Sequence, residues 1–204
     1  MSSESALFKR IKRHVIGREH TFFAATPPGF EQLCLRELLN LDPVVGNARV
    51  TPGGVDFKGR LDDCYRTNLN LRLPNRILMR INEFKSTNFR QLERKAGDIP
   101  WELYLNPDSL FKVHVTTKHC RLHHSAAISD RFHKNIDGRL SGIQQDEKLL
   151  TTTNVEQNIF IRGQDDRFSV SIGSSGDLLY KRGLKKHAGK APLRETLAAA
   201  ALQL

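Results

Sequence analysis

The chain has 204 residues, 39% of them hydrophobic, with 14 Gly and 8 Pro, enough apolar material for one or two compact domains and too much for a disordered polymer. Lys and Arg outnumber Asp and Glu by 32 to 22, leaving a net charge of +10; this favours phosphate-rich partners, nucleic acid first, although the same charge also fits cations that merely solvate a surface. Cys34, Cys64 and Cys120 are scattered and never form C-x-x-C, which excludes a disulfide framework or a cysteine zinc module and fits a reducing, cytoplasmic setting.

Residues 1–20, "MSSESALFKRIKRHVIGREH", form a polar-to-basic leader without the apolar core of a signal peptide. Phe8, Ile11 and Val15 fall at helical spacing, which suits a short amphipathic helix as well as a loose tail. "TFFAAT" reads as a short buried strand. "PPG" breaks it before Phe30, Leu33, Cys34, Leu38 and Leu41 recur at helical spacing. Short strands in "VVGNARV" and "VDFKG" follow, joined by the turn signal "TPGG". The first sixty residues therefore read β-α-β-β.

A second unit is expected from Leu61, where Asp62 and Asp63 place negative charge in the first turn of a helix that runs to the break at Pro74. "RILMRINEF" alternates Ile77, Met79 and Ile81 with Arg80 and Asn82, the pattern of a half-buried strand. A helix over 88–96 with Phe89 and Leu92 inward leads to "IPWELYL", whose Trp101 suits a core anchor. "LFKVHVTT" sets Phe111, Val113 and Val115 on one face and Lys112, His114 and Thr116 on the other. Ile128, Phe132 and Ile136 then give a helix its apolar stripe. A polar link over 137–154 precedes two alternating strands, "VEQNIFIRG" and "RFSVSIG", joined through "QDD". "SSGD" is a turn, "LLYKRG" suits a strand returning to the first unit, and Pro192 suits the first residue of a last helix.

The window "TTKHCRLHHSAAISDRF" holds the chemistry. His119 and His123 lie four residues apart, but a structural zinc site needs a second ligand pair that the sequence does not offer. Cys120 beside His119 in a strand-like stretch points to the opposite face, so a buried thiol fits better than a nucleophile. Lys118, Arg121, His123, His124 and Ser125 sit where a strand ends and a helix begins, so cationic side chains meet free N–H groups and a positive dipole end. That is a phosphate site, with Ser125 serving at the least as a helix N-cap. Arg131 and Lys134 extend the positive track along the helix. No Walker loop, G-x-S-x-G, H-E-x-x-H or G-x-G-x-x-G pattern is present.

Three stretches, "LDDCYRTNLNLRLPNRILMRINEF", "FRQLERKAGDIPWELYL" and "FKVHVTTKHCRLHHSAAISDRF", resemble the THUMP RNA-binding region of bacterial large-subunit ribosomal RNA guanine-N2 methyltransferases. The ending "LYKRGLKKHAGKAPLRETLAAAALQL" resembles the segment that, in that family, leads into the methyltransferase domain. The resemblance implies an α+β fold of mixed sheets flanked by helices. A ferredoxin-like subdomain over 21–60 would be completed by about 175–183, with a THUMP domain inserted over 61–174 and a linker and first methyltransferase helix over 184–204. It further implies an RNA-contacting surface around Lys118, Arg121, His124 and Ser125; the cationic track brings in Thr117, His123, Arg131 and Lys134, and the basic stretch near the end extends it through Lys181, Arg182, Lys185 and Lys186.

On this reading the chain is an RNA-docking module for ribosomal RNA, or alternatively for a transfer RNA, that does not methylate by itself. The partner domain and its S-adenosylmethionine would belong to a longer parent, and no metal is expected. Two readings stay open beside it. One is a self-sufficient metalloenzyme using His119, His123 and His124; the other is a protein-docking module using the apolar "LAAAALQL".

Overall fold

A computed structural model describes residues 5–41, 45–143, 156–182 and 192–203. In chain order its elements are α1 (Ala6–Ile11), continued by a π-helical turn over Lys12–Ile16, then β1 (His20–Ala25), α2 (Glu31–Leu39), β2 (Gly46–Thr51), β3 (Gly54–Gly59), α3 (Leu61–Asn70), β4 (Arg76–Lys85) and α4 (Phe89–Gly97). A 3-10 turn at Trp101–Leu103 precedes β5 (Phe111–Lys118), α5 (Ser125–Leu140), β6 (Gln157–Gln164), β7 (Arg167–Gly173) and α6 (Glu195–Ala201). The chain divides into two compact units, one of Glu19–Met79 with Gly173–Leu204 and one of Met1–Arg18 with Arg80–Ile172.

The first unit is β-α-β-β-α-β with strand order β2-β3-β1-β4, the ferredoxin-like arrangement. β3 pairs antiparallel with both β1 and β2. Pro52 and Gly53 (φ +84°) make the tight turn that "TPGG" signals. At Gly54 a Cβ would fall 2.1 Å from the Ala24 carbonyl oxygen, so only glycine lets β1 and β3 approach there. The unit closes later than the sequence reading places it. Only Arg60 separates β3 from α3, and its N–H donates to Asp63 Oδ2 at 2.7 Å, so α3 is capped directly onto β3 with no linker between. Glu37 of α2 then accepts from the N–H groups of Arg72 and Leu73 at 2.9 and 3.1 Å, holding the buried turn that leads into β4.

No returning strand forms over 178–182. Gly176 takes φ +65°, Asp177 Oδ1 accepts from the Leu178 N–H, and Leu179 N–H donates to Asn75 O at 2.8 Å; each of these bonds bends the chain away from a ladder. Pro192 lies before the last helix, whose cap is Arg194 and whose first turn carries Glu195.

The second unit has strand order β4-β7-β6-β5, with β5 and β6 parallel and β6 and β7 antiparallel. Its core joins Leu92 and Ala96 of α4, Trp101, the stripe Ile128, Phe132, Ile136 and Leu140 of α5, and Ile159, Ile161, Phe168 and Val170 of the sheet. The expected polar link after Ile136 begins later, because Leu140 extends the stripe and carries α5 through Gly138. Trp101 is fully buried, donates from Nε1 to Ala96 O at 2.9 Å, and meets Phe132 edge to face at 6.2 Å.

The leader is a helix of this second unit. Ser5 caps it by accepting from the Phe8 N–H, and Leu7, Ile11 and Val15 are buried while Phe8 lies partly exposed under Lys12. Arg10 of α1 reaches Glu102 at 2.9 Å, and Arg139 of α5 grips the same buried carboxylate with two bonds of 2.9 and 3.0 Å. Burial pushes the Glu102 carboxyl up, but the bonds from Arg139, the backbone and Arg10 outweigh it and hold the group below its ordinary 4.5. A pKa depressed on folding adds stability that is present above the unfolded value and fades as pH falls through the folded one. Glu102→Gln should therefore cost about 1–3 kcal/mol near neutrality, with both arginines partly exposed and screened. It should also flatten the loss of stability in urea titrations taken below the ordinary glutamate range.

Candidate nucleic-acid interface

β5 runs in parallel register with β6 until Lys118 stands opposite Gln164. The chain then leaves the sheet at His119, which adopts φ +53°, and six residues later Ser125 opens α5. What fixes this loop is the neighbouring hairpin. Asp165 and Asp166, at φ +51° and +61°, form a two-residue turn between β6 and β7 with both residues left-handed, the geometry that matches strand twist. The turn places Asp165 N–H against Lys118 O at 3.2 Å and Asp166 Oδ1 on the Arg121 N–H at 2.8 Å. Asp166 Oδ2 also lies 3.3 Å from Arg121 Nε, while His119 Nδ1 stands 3.7 Å from Asp165 Oδ1. Leu122 is buried in the core and anchors the far side of the loop.

Cys120 is half-buried rather than fully buried. Its sulfur packs over Gly163, where a Cβ would fall 3.1 Å from Sγ and 2.8 Å from the Phe168 ring, and it lies 3.4 Å from Lys118 O. His119 turns to Asp165 and Cys120 to Gly163, so the two do not pair. Among the described residues, no three His, Cys, Asp or Glu side chains converge as metal ligands.

The helix cap differs from the expectation. His124, not Ser125, is the N-cap, and it gives no side-chain bond to the helix; Ser125 is the first helical residue. The first N–H to find a helical acceptor is that of Ile128, on His124 O at 3.1 Å. The donors ahead of it form an open positive end of a 16-residue helix. Around it, Lys118, Arg121, His123, His124 and Ser125 are exposed, Arg121 with 72% of its side chain in solvent despite its ion pair. The His123 and His124 rings lie 4.3 Å apart, and Thr117 Oγ1 reaches His123 O at 3.5 Å. Loop and helix start thus form one cationic concentration of side chains and backbone donors.

The remaining residues of the expected track divide. Lys134 is exposed on α5, about 13 Å beyond Ser125 at the helical rise. Arg131 is engaged inside the helical layer: it donates to Ala127 O at 2.9 Å, stacks 4.0 Å over the Phe89 ring and lies 2.8 Å from Glu93 Oε1. Arg182 belongs to the first unit, where its guanidinium caps the C-terminus of α3 on the carbonyls of Asn68, Leu69 and Leu71. Lys181 pairs with Asp177 at 3.1 Å, and Lys185 and Lys186 lie outside the described residues. Arg90 and Arg94, exposed on α4 beside α5, were not singled out by the sequence reading, although their four-residue spacing on a polar helix face was there to be read.

Residues 21–78 match the RlmL ferredoxin-like domain, ending where the first unit gives way to the second in β4. The chain is 34% identical over 192 residues to the ribosomal RNA large subunit methyltransferase K/L of Allochromatium vinosum, a match covering 90% of this chain and 25% of that protein. The chain therefore spans about a quarter of the length of such curated relatives. Among solved structures, a Listeria monocytogenes protein assigned as an N6-adenine-specific DNA methylase is similar over 100% of this chain and 52% of its own, with a TM-score of 0.81 at 28% identity. SMU.472, assigned as a methyltransferase and complexed with SAH, is similar over 91% of this chain and 48% of its own, with a TM-score of 0.76 at 28% identity.

Asp166 holds the loop by a charged bond to a backbone donor, so Asp166→Ala should cost about 1–3 kcal/mol and speed amide exchange over 118–124. Asp166→Asn keeps an acceptor and tolerates the left-handed backbone, and should fall between the two. Unchanged exchange in the alanine variant would show that the loop holds its shape without this anchor.

Proposed function

We propose that this chain, which belongs with the N-terminal part of the ribosomal RNA large subunit methyltransferase K/L, docks structured RNA for methylation, its second unit serving as a THUMP domain. The observation that carries this reading is the open positive end of α5 surrounded by Lys118, Arg121, His123 and His124 on a loop pinned by Asp166. A phosphate at that point meets unpaired N–H donors, a favourable dipole and mobile cations together. The overall charge of +10 draws a polyanion toward the chain before any contact is made. Ribosomal RNA is the first choice of ligand, from the printed activity of the relatives.

On this reading the guanine-N2 methyl transfer and its S-adenosylmethionine belong to a further domain, and the SAH in SMU.472 agrees with that donor. The described residues supply positioning: Lys118 and Arg121 hold phosphate, and the helix start fixes its direction. Arg131 and Arg182 stabilise the scaffold instead, since their guanidinium groups are spent on protein acceptors. On this reading the chain works in the cytoplasm beside ribosomal RNA; among the described residues no helix is long and apolar enough to cross a membrane.

Affinity for a short RNA hairpin should fall steeply with salt, each neutralised phosphate contributing about 0.9 to the log-log slope on a duplex. Lys118→Ala and Arg121→Ala should each weaken binding and lower that slope by about 1, whereas Arg36→Ala, exposed on α2, should leave it unchanged. Fluorescence anisotropy across a salt series decides this: an unchanged slope in Arg121→Ala removes the loop from the interface.

A further inference from the structure

The second unit has another surface that the loop does not use. Val113, Val115, Ile159, Ile161, Phe168 and Val170 all pack into the core with α4 and α5. Strand alternation therefore turns the intervening side chains of β5, β6 and β7 to the opposite face of the sheet. Along those three strands that face carries Lys112, Lys118, Arg162 and Arg167 and no carboxylate. The acids next to these strands flank them: Glu156 precedes β6, and Asp165 and Asp166 form the turn between β6 and β7 at the Lys118 end, where Asp166 is turned onto Arg121 and Asp165 faces His119.

In the middle of these cations stand two rings. His114 lies opposite Phe160 in the parallel register, and the rings stack with centroids 4.9 Å apart and planes 14° from parallel. His114 Nε2 stands 2.7 Å from Asn158 Oδ1, a hydrogen bond that fixes the imidazole plane against Phe160. Both residues are half-buried, while Lys112 and Lys118 on either side of His114 are exposed. β5 ends the strand order, so no further described strand lies beyond His114, and the side of its ring away from Phe160 faces the sheet edge. A flat, hydrogen-bonded ring pair with Lys112, Lys118 and Arg162 around it on the same face is a stacking platform with phosphate ligands beside it.

We propose that this outer face binds a single-stranded RNA segment, one base stacking on His114 to extend the His114–Phe160 pair while Lys112, Arg162 and Lys118 take the flanking phosphates. The proposal rests on the docking function above and names the form of its substrate: a structured RNA with an unpaired tail. Lys118 is common to both surfaces. It ends β5 at the phosphate loop, so a strand leaving the duplex there would run back along β5 toward Lys112, about 20 Å away at the rise of a β-strand. Charge selects a polyanion and the ring pair selects a base, a combination that an acidic peptide does not satisfy.

The test compares two fluorescent probes on the full 204-residue chain: a blunt RNA hairpin, and the same hairpin with a single-stranded oligoadenylate tail. The tail should tighten binding. His114→Ala should remove that gain, a loss of roughly 5- to 100-fold for one stacked base, and leave the blunt hairpin unaffected. His114→Phe keeps a ring and should retain the gain, whereas His114→Gln keeps polarity without a ring and should lose it; thermal melts confirm that each variant is folded. Lys112→Ala should lower the salt slope by about 0.7 for the tailed probe only. The proposal is overturned if the tail adds no affinity, if His114→Ala weakens both probes equally, or if polyglutamate competes as well as oligoadenylate. A protein that binds neither probe at low salt overturns the docking function as well; binding both equally overturns this proposal alone.

Discussion

The loop after β5 has the shape it has because one carboxylate reaches across from the next hairpin. Asp166 sits in a turn where both residues are left-handed, and that strained conformation aims its side chain at the Arg121 N–H rather than at solvent. The bond joins positions 45 residues apart in sequence and closes a gap that no ladder bond covers, because β5 has already left the sheet. Without it, the segment from His119 to His124 would keep Leu122 in the core, Cys120 over Gly163, the Asp165–Lys118 backbone bond and the long Thr117–His123 contact, but the Arg121 N–H would lose its acceptor. The core stripe of α5 sets the helix, and the placement of Arg121 and its neighbours ahead of the helix start follows from where this loop is held.

The arginines and lysines divide in a way that side-chain chemistry explains. Arg10 and Arg139 share Glu102, Arg131 stacks on Phe89, and Arg182 spans three carbonyls at the end of α3. Arg139, Arg131 and Arg182 use the planar fork of the guanidinium to make two or more contacts in a fixed geometry, which the point charge of a lysine ammonium does not offer. Lys112, Lys118 and Lys134 stay exposed on flexible stems. The net positive charge is thus two populations, one built into the scaffold and one presented to solvent. Sequence counts both alike, and this is why Arg131 and Arg182 look like ligand residues until their acceptors are seen.

The same contrast shows what was legible in the sequence. Periodicity located the strands and helices of both units, including α5 from Ile128, Phe132 and Ile136, because burial of one face imposes a repeat that survives any tertiary arrangement. The leader became a helix by the same logic once Ser5 supplied its cap and Leu7, Ile11 and Val15 found a surface. The boundary near Leu61 was misplaced because a capped helix start looks the same whether it opens a domain or closes one. Only the pairing of β4 with β1 tells the two apart. The stretch 178–182 suits a returning strand by its apolar start, yet its backbone groups are claimed by Asn75 and by Asp177, contacts that no local pattern encodes. Of the candidate site, the strand-to-helix position of the loop and its exposed cations were legible. The anchor was not, since "QDD" reads only as a turn.

Placing an acid beside the proposed phosphate site has a cost, because Asp166 lowers the local positive potential that would attract such a ligand. The geometry limits that cost. Asp166 spends its Oδ1 on a backbone donor, and its Oδ2 lies at 3.3 Å from an Arg121 side chain that remains mostly in solvent. The ion pair with the exposed guanidinium is weak and screened, whereas the bond to the backbone is nearly shielded from water. On the proposed function, a phosphate reaching this loop would draw the Arg121 side chain away from Asp166 without releasing the main chain. The loop keeps its shape, and the cation exchanges one anion for another. Rigidity of the backbone and freedom of the side chain are thus supplied by two oxygens of one carboxylate, and the loop can be preorganised for a polyanion while an anion already occupies part of it.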